Sequence, residues 1–404
     1  VVSKLRLLLL VLALVLMSAC GAAPATPPAA STAAADAATQ IPAAATAVAP
    51  TAAAVATEIA PTVAAAATAV APTVAAAATA VTGGAGAAVA GQGACTPEAA
   101  AAAMPEGKLR MVIGTGGTGG VFFPYGGGLA RILTEKLADA EATAEETGGS
   151  VDNMKLVGAG EADIGFSTVD SAYDAVNGQG AYQDTGPIPA CTIAVLYTSF
   201  VHVVASEASG INTVADMKGK RISVGSAGSS TEGAADRVLE AAGLDPQVDI
   251  TRDNLSVAES VAAMKDQKID AFFWIGGLPT AAVTDLVSTP NLAVKFIPTA
   301  EYVDAIVAKY GPVYRAFDLP PGTYAGFDEP VPGIGIGNII FVNAAMPEPQ
   351  VHAILTAIFD NLAEVQEIHP EAKKLTLETA AVGSSIPFHP GAVRFFTERG
   401  VWQP

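Results

Sequence analysis

From Leu109 onward, short apolar runs alternate with stretches whose apolar residues recur at helical spacing, and that alternation restricts the chain to an α/β fold. The runs Leu109 to Ile113, Asp163 to Phe166, Ile193 to Leu196, Arg221 to Val224, Ala271 to Ile275 and Ile336 to Val342 read as buried strands. Between them, Gly127 to Leu137, Thr231 to Ala242, Val257 to Lys265 and Val351 to Leu362 read as amphipathic helices. Such an order predicts parallel sheets flanked by helices. The stretch is long enough for two lobes.

The sequence ahead of it has a different character. Lys4 and Arg6 precede an apolar run from Leu7 to Met17, followed by Ser18-Ala19-Cys20. A bilayer span needs roughly 20 apolar residues, so this run reads as a secretory signal over residues 1–19. Leu16 to Cys20 resembles a bacterial lipobox, which makes Cys20 the candidate lipidation site and the protein's attachment to a membrane. Residues 20–105 are almost entirely Ala, Thr, Pro, Val and Gly, a composition that buries too little apolar surface to offset chain entropy. Prolines at 50, 61 and 72 mark an eleven-residue repeat that suits either short helices or extended coil. In both forms the segment is a tether. With Cys20 acylated, Cys95 and Cys191 are left as one disulfide or two free thiols.

With 39 acidic against 21 basic residues the net charge is −18, which excludes nucleic acid as a partner. Any anion site must therefore be built locally. The candidate is the loop after the first strand, Gly114-Thr115-Gly116-Gly117-Thr118-Gly119-Gly120. Glycines bring backbone N–H groups close to a ligand, and the following helix N-terminus adds about half a positive charge. The same residues also suit a structural turn. A second loop, Gly225-Ser226-Ala227-Gly228-Ser229-Ser230-Thr231, follows another strand and opens another helix. Its hydroxyls suit helix capping as well as ligand binding. Two such loops suggest two anion-binding jaws facing one cleft.

Gly114, Gly116 and Gly119 also form a dinucleotide fingerprint, with Glu145 or Glu146 as the ribose acid. That makes a nicotinamide-dependent oxidoreductase the competing reading. Nicotinamide cofactors are not expected outside the cytoplasm, and no catalytic constellation follows the loop.

Several stretches resemble the TAXI-type substrate-binding subunits of tripartite ATP-independent periplasmic (TRAP) transporters. They are Ile113 to Leu129, Gly148 to Leu156, Gly160 to Phe166, Lys218 to Gly225, Lys268 to Pro279 and His389 to Ala392, and in order they cover Leu109 to Gly400. The resemblance implies a type II periplasmic-binding fold of two α/β lobes, 106–200 with 335–404 and 201–334, joined by a hinge. It also implies a ligand such as glutamate, a related amino acid or a dicarboxylate, and permease subunits as partners. The contacts it implies are Gly116, Thr118, Gly119, Gly120 and Asn153 in the first lobe. In the second they are Ala227, Gly228, Ser229, Ser230, Thr231, Trp274, Gly276, Gly277 and Pro279. Two departures change the expected wall: Phe122 and Phe123 stand where the family often has tyrosines, and Thr168 stands near a common glutamine.

The residues also have roles of their own. Main-chain N–H groups with the hydroxyls of Thr118, Ser229, Ser230 and Thr231 suit a carboxylate, each charge-assisted bond contributing about 1.5–3 kcal/mol. Micromolar affinity needs only about −8 kcal/mol in total. Trp274 suits either stacking on the ligand or core packing. Asp170 is either the acceptor for a ligand amine or a helix N-cap. His202, His352, His369 and His389 are dispersed and lack metal-binding spacing. No cofactor, metal or catalytic set is expected. A ligand sensor of the same fold would have the same sequence features.

Overall fold

The computed structural model describes residues 94–403. The expected signal, Cys20 and the tether as far as residue 93 lie outside the described residues. The first half opens with β1 (Leu109–Gly114), α1 (Phe122–Lys136), β2 (Ala140–Glu145), α2 (Ser150–Ala159), β3 (Ile164–Thr168) and α3 (Val169–Asn177). There follow β4 (Ala190–Ser206), β5 (Arg221–Ser223), α4 (Ser230–Ala241), β6 (Thr251–Asp253), α5 (Val257–Lys265), β7 (Ala271–Gly276) and α6 (Ala281–Val287). The remainder is β8 (Val294–Phe296), α7 (Val303–Tyr310), β9 (Tyr314–Ala316), β10 (Ile334–Asn343), α8 (Glu348–Phe359), α9 (Leu362–Gln366), α10 (Leu377–Ala380) and α11 (Pro390–Glu398).

One sheet runs through both halves in the order β2-β1-β3-β10-β4-β7-β5-β6, with β8 added to β4 and β9 to β10. The outer groups β2-β1-β3 and β7-β5-β6 are parallel, as the alternating pattern predicts. The centre departs from that expectation: β10 is antiparallel to β3 and β4, and β4 is antiparallel to β7. The reason is connectivity. The chain leaves the first half along β4 and returns along β10, so the two crossing strands must run in opposite directions.

A single 17-residue strand makes the outward crossing. Ala190 to Phe200 of β4 pair with β10, whereas Phe200 to Ala205 pair with β7. Only Ile193 to Leu196 stand out as a run in the sequence, because Tyr197 to His202 interleave polar residues, of which Tyr197, Ser199 and His202 are nonetheless buried here. The edge strand β2 is Ala-Glu-Ala-Thr-Ala-Glu and carries no apolar run at all, since it pairs only with β1 and keeps one face toward solvent. Helix α1 starts at Phe122 rather than Gly127; Pro124 sits in its first turn, where a missing N–H costs nothing.

Helices cover both faces. Tyr125, Leu129, Ile132 and Leu133 of α1 bury one face against β1 and β3 together with Val351, Ile354, Leu355 and Ile358 of α8. Helix α4 buries Ala234, Ala235, Val238 and Leu239 among Ile222, Val224 and Phe273. Cys95 and Cys191 form a disulfide with Cα atoms 5.8 Å apart. Ala100 is fully buried and its carbonyl accepts the Glu348 N–H at 2.9 Å. Residues 94–100 thus lie against the folded body, although their composition matches the tether.

Candidate functional site

The glycine loop between β1 and α1 and the serine-rich loop between β5 and α4 open into the same cleft, a cavity of about 70 Å³. Gly116, Thr118, Gly119, Gly120 and Phe122 form one wall; Ser229, Ser230, Thr231, Trp274 and Gly276 form the other. The floor is Thr168 with Tyr197 and Ser199 of β4, where that strand passes between the halves.

The walls touch. A Cβ built on Gly120 would lie 2.9 Å from the Trp274 ring, and one on Gly119 would lie 3.2 Å from Val257. The Gly228 carbonyl accepts N–H groups of Val151 and Asp152 at 3.1 and 3.0 Å, so the second loop caps α2 of the first half. Ser150 and Ser230 meet at 3.3 Å between their hydroxyls. This is a closed cleft.

Its electrostatics come from helix ends. The N-caps of α1 to α5 are Val121, Gly149, Thr168, Ser229 and Ser256, and all five line the cavity. Only Ser256 makes a side-chain cap bond, to the Glu259 N–H. The other four ends have no side-chain acceptor for their first-turn N–H groups. A helix end exposes donors and about half a positive charge; α2 gives its first N–H groups to the Gly228 carbonyl, and the convergent ends of α1, α3 and α4 suit an anion without a cation. Among the described residues lining the cavity there is no Lys, Arg or His, and Glu146 is the one charged side chain.

Neutral donors complete the set. The Thr168 hydroxyl is buried without a partner. Ser229 Oγ donates to the Ser226 carbonyl at 2.7 Å, bracing its own loop, and Thr231 Oγ1 accepts the Ile275 N–H at 3.2 Å, tying the start of α4 to β7. Thr118 is exposed, and its N–H donates to Glu146 Oε1 at 3.3 Å. That carboxylate occupies the amide a pyrophosphate would need, which argues against the dinucleotide reading even though Glu145 does end the second strand. Trp274 Nε1 donates to Thr280 Oγ1 at 3.0 Å, fixing the indole with one edge on the cavity.

Other expected contacts lie elsewhere. Asn153 is fully buried; its Nδ2 donates to the carbonyls of Thr115 and Phe166 at 2.6 and 2.8 Å, and its Oδ1 accepts the Thr147 hydroxyl at 2.8 Å. It fastens the first loop to β3 and has no free group for a ligand. Asp170 faces away from the cavity and is not the cap either, because Thr168 is the N-cap of α3. Its Oδ2 accepts the Tyr314 hydroxyl at 2.6 Å and lies 3.8 Å from Arg237. Ala227 is exposed, and Gly228 meets Asp152 rather than the cavity. Gly277 packs on Glu371 and Tyr197, Pro279 is exposed, and Phe123 is off the wall.

Ser150, Tyr197, Ser199 and Ser256 line the site without having been expected there. Gly148-Gly149-Ser150 before a helix repeats the composition of the other two loops, and that was the available signal. The four histidines serve structure. His369 and His389 accept N–H groups at helix starts, and His352 meets Glu398 at 2.8 Å. His202 is buried against the Tyr324 hydroxyl at 2.9 Å, and burial pushes its pKa down to about 4.

Residues 113–400 match the model of the NMT1-like family. Among solved structures, the chain is similar to the periplasmic aliphatic sulphonate binding protein of Escherichia coli, at 18% identity over 64% of this chain and 72% of that one, with a TM-score of 0.38. It is similar also to a binding protein component of an ABC phosphonate transporter from Pseudomonas aeruginosa, at 13% identity over 65% and 79%, TM-score 0.43. A lipoprotein of Treponema pallidum matches at 14% identity over 66% and 98%, TM-score 0.38.

Proposed function

The chain belongs to the NMT1-like family, and we propose that it is an extracytoplasmic solute-binding protein that captures a small carboxylate in its cleft and delivers it to a TRAP-type membrane permease. The observation that carries this reading is the convergence of helix N-termini from both halves on one cavity with no cation in its lining. Only an anion gains from that field, and only closure brings all the ends together. In this reading residues 106–200 with 335–404 form one lobe and 201–334 the other, and bending where β4 and β10 cross opens the cleft. Sequence resemblance to TAXI subunits supports the permease partner and makes glutamate-like amino acids and dicarboxylates the reference ligands.

Native mass spectrometry of the purified protein is expected to reveal a bound small acid released on denaturation. Its thermal midpoint should rise with that acid, since ligand at 100 times Kd adds about 2.7 kcal/mol. Vesicles carrying the permease should take up the acid only with this protein present and without ATP. No bound or stabilising acid would overturn the binding reading; uptake that requires ATP would overturn the choice of partner.

The Cys95–Cys191 disulfide fits an oxidising compartment, and we propose Cys20 as the lipid anchor. In a bacterial host, Cys20→Ser should abolish incorporation of labelled palmitate and move the protein from the membrane to the soluble fraction. Unchanged labelling would remove Cys20 from that role.

A further inference from the structure

Building on the carboxylate-binding reading, we infer that the cleft selects an acid with one negative charge on a short apolar body and rejects a second carboxylate, with Glu146 enforcing the choice. The helix ends supply donors for one anionic group, joined by the unpartnered Thr168 hydroxyl at the floor. Beside them stand the apolar Phe122, Val257, Ala258, Trp274 and Ile275 and neutral hydroxyls, with no cation among the lining residues. A carboxylate placed against that wall loses its water and gains no cation in return.

Glu146 adds repulsion. Its carboxylate sits at the first loop, 3.3 Å from the Thr118 amide, and thereby also removes one donor that a second anionic group would use. Glu146 is exposed at the mouth of the cleft, so water screens its field and the repulsion falls on a second charge that reaches that end.

The inference separates ligands that differ by one charge at nearly equal shape. Isothermal titration of the full chain with glutarate, monomethyl glutarate, valerate and succinate at neutral pH is the direct test. Monomethyl glutarate and valerate are expected to bind at least tenfold tighter than glutarate or succinate. Glu146→Gln should shrink the ratio of monomethyl glutarate to glutarate affinity by about tenfold, and Glu146→Lys should invert it. Glutarate or succinate binding as tightly as the monoanions would overturn the charge rule and leave the carboxylate cleft standing. No binding by any of the four would sink the rule together with the reading beneath it. An unchanged ratio in both Glu146 variants would remove that residue from selectivity.

Discussion

Gly148→Ala should leave the protein folded and lower its affinity for the bound acid by at least 100-fold. A Cβ at this position would stand 2.4 Å from the carbonyl oxygen of Ala227, on the loop that reaches over from the other half. Backbone cannot step aside as a flexible side chain does, so the methyl group holds the two loops apart. The second near atom, Asp152 Oδ2 at 2.5 Å, belongs to Gly148's own half and can rotate away. Keeping the loops apart also breaks the bonds from Val151 and Asp152 to the Gly228 carbonyl. A ligand that needs the closed form then binds in proportion to the fraction still able to close; a hundredfold loss corresponds to about 2.7 kcal/mol. Gly233→Ala is the control, because nothing lies within 4 Å of the added carbon and alanine favours the α4 helix. Titration calorimetry reads the affinity. Small-angle scattering reads compaction, which should appear on adding ligand to the control but not to Gly148→Ala. Equal affinity in both variants would mean that ligand binding does not require this closure.

The part of the site readable from the sequence was the part carried by composition. Gly114 to Gly120 and Gly225 to Thr231 announce close backbone approach and helix starts, and both loops reach the cavity. Side chains whose role depends on a partner were not readable. Asn153 and Asp170 look like ligand groups in one dimension, but the partners that claim them are distant in sequence: Thr115 and Phe166 for the first, Tyr314 for the second. Tyr197 and Ser199 were hidden for the opposite reason. They lie beyond the Ile193 to Leu196 run, where the pattern carries no strand signal, and they form a floor only because β4 continues from one half into the other. The antiparallel centre of the sheet was equally invisible, since strand direction follows from where β10 returns rather than from its apolar pattern.

Arg237→Met should cost about 3–5 kcal/mol of stability near neutral pH, and the loss should shrink in acid. The guanidinium lies between the halves, on α4, with a side chain only 10% exposed. It pairs with Asp174 on α3, lies 3.8 Å from Asp170, donates to the Tyr314 hydroxyl at 2.6 Å and rests 4.4 Å over the Tyr310 ring. Burial raises the Asp174 pKa, and Arg237 is the group that pulls it back down. Methionine fills the volume but leaves the carboxylates without their cation. The Asp174 pKa then rises further above its unfolded value. A group shifted in that direction contributes stability below its unfolded pKa and loses it as pH rises through the folded one. The variant's deficit is therefore largest above the carboxylate range and falls as Asp174 takes up a proton. Urea denaturation of both proteins at about pH 7.5 and about pH 4.5 measures the two gaps. A deficit equal at both pH values would show that Arg237 contributes packing alone; no deficit at pH 7.5 would show that Asp174 is already neutral beside it.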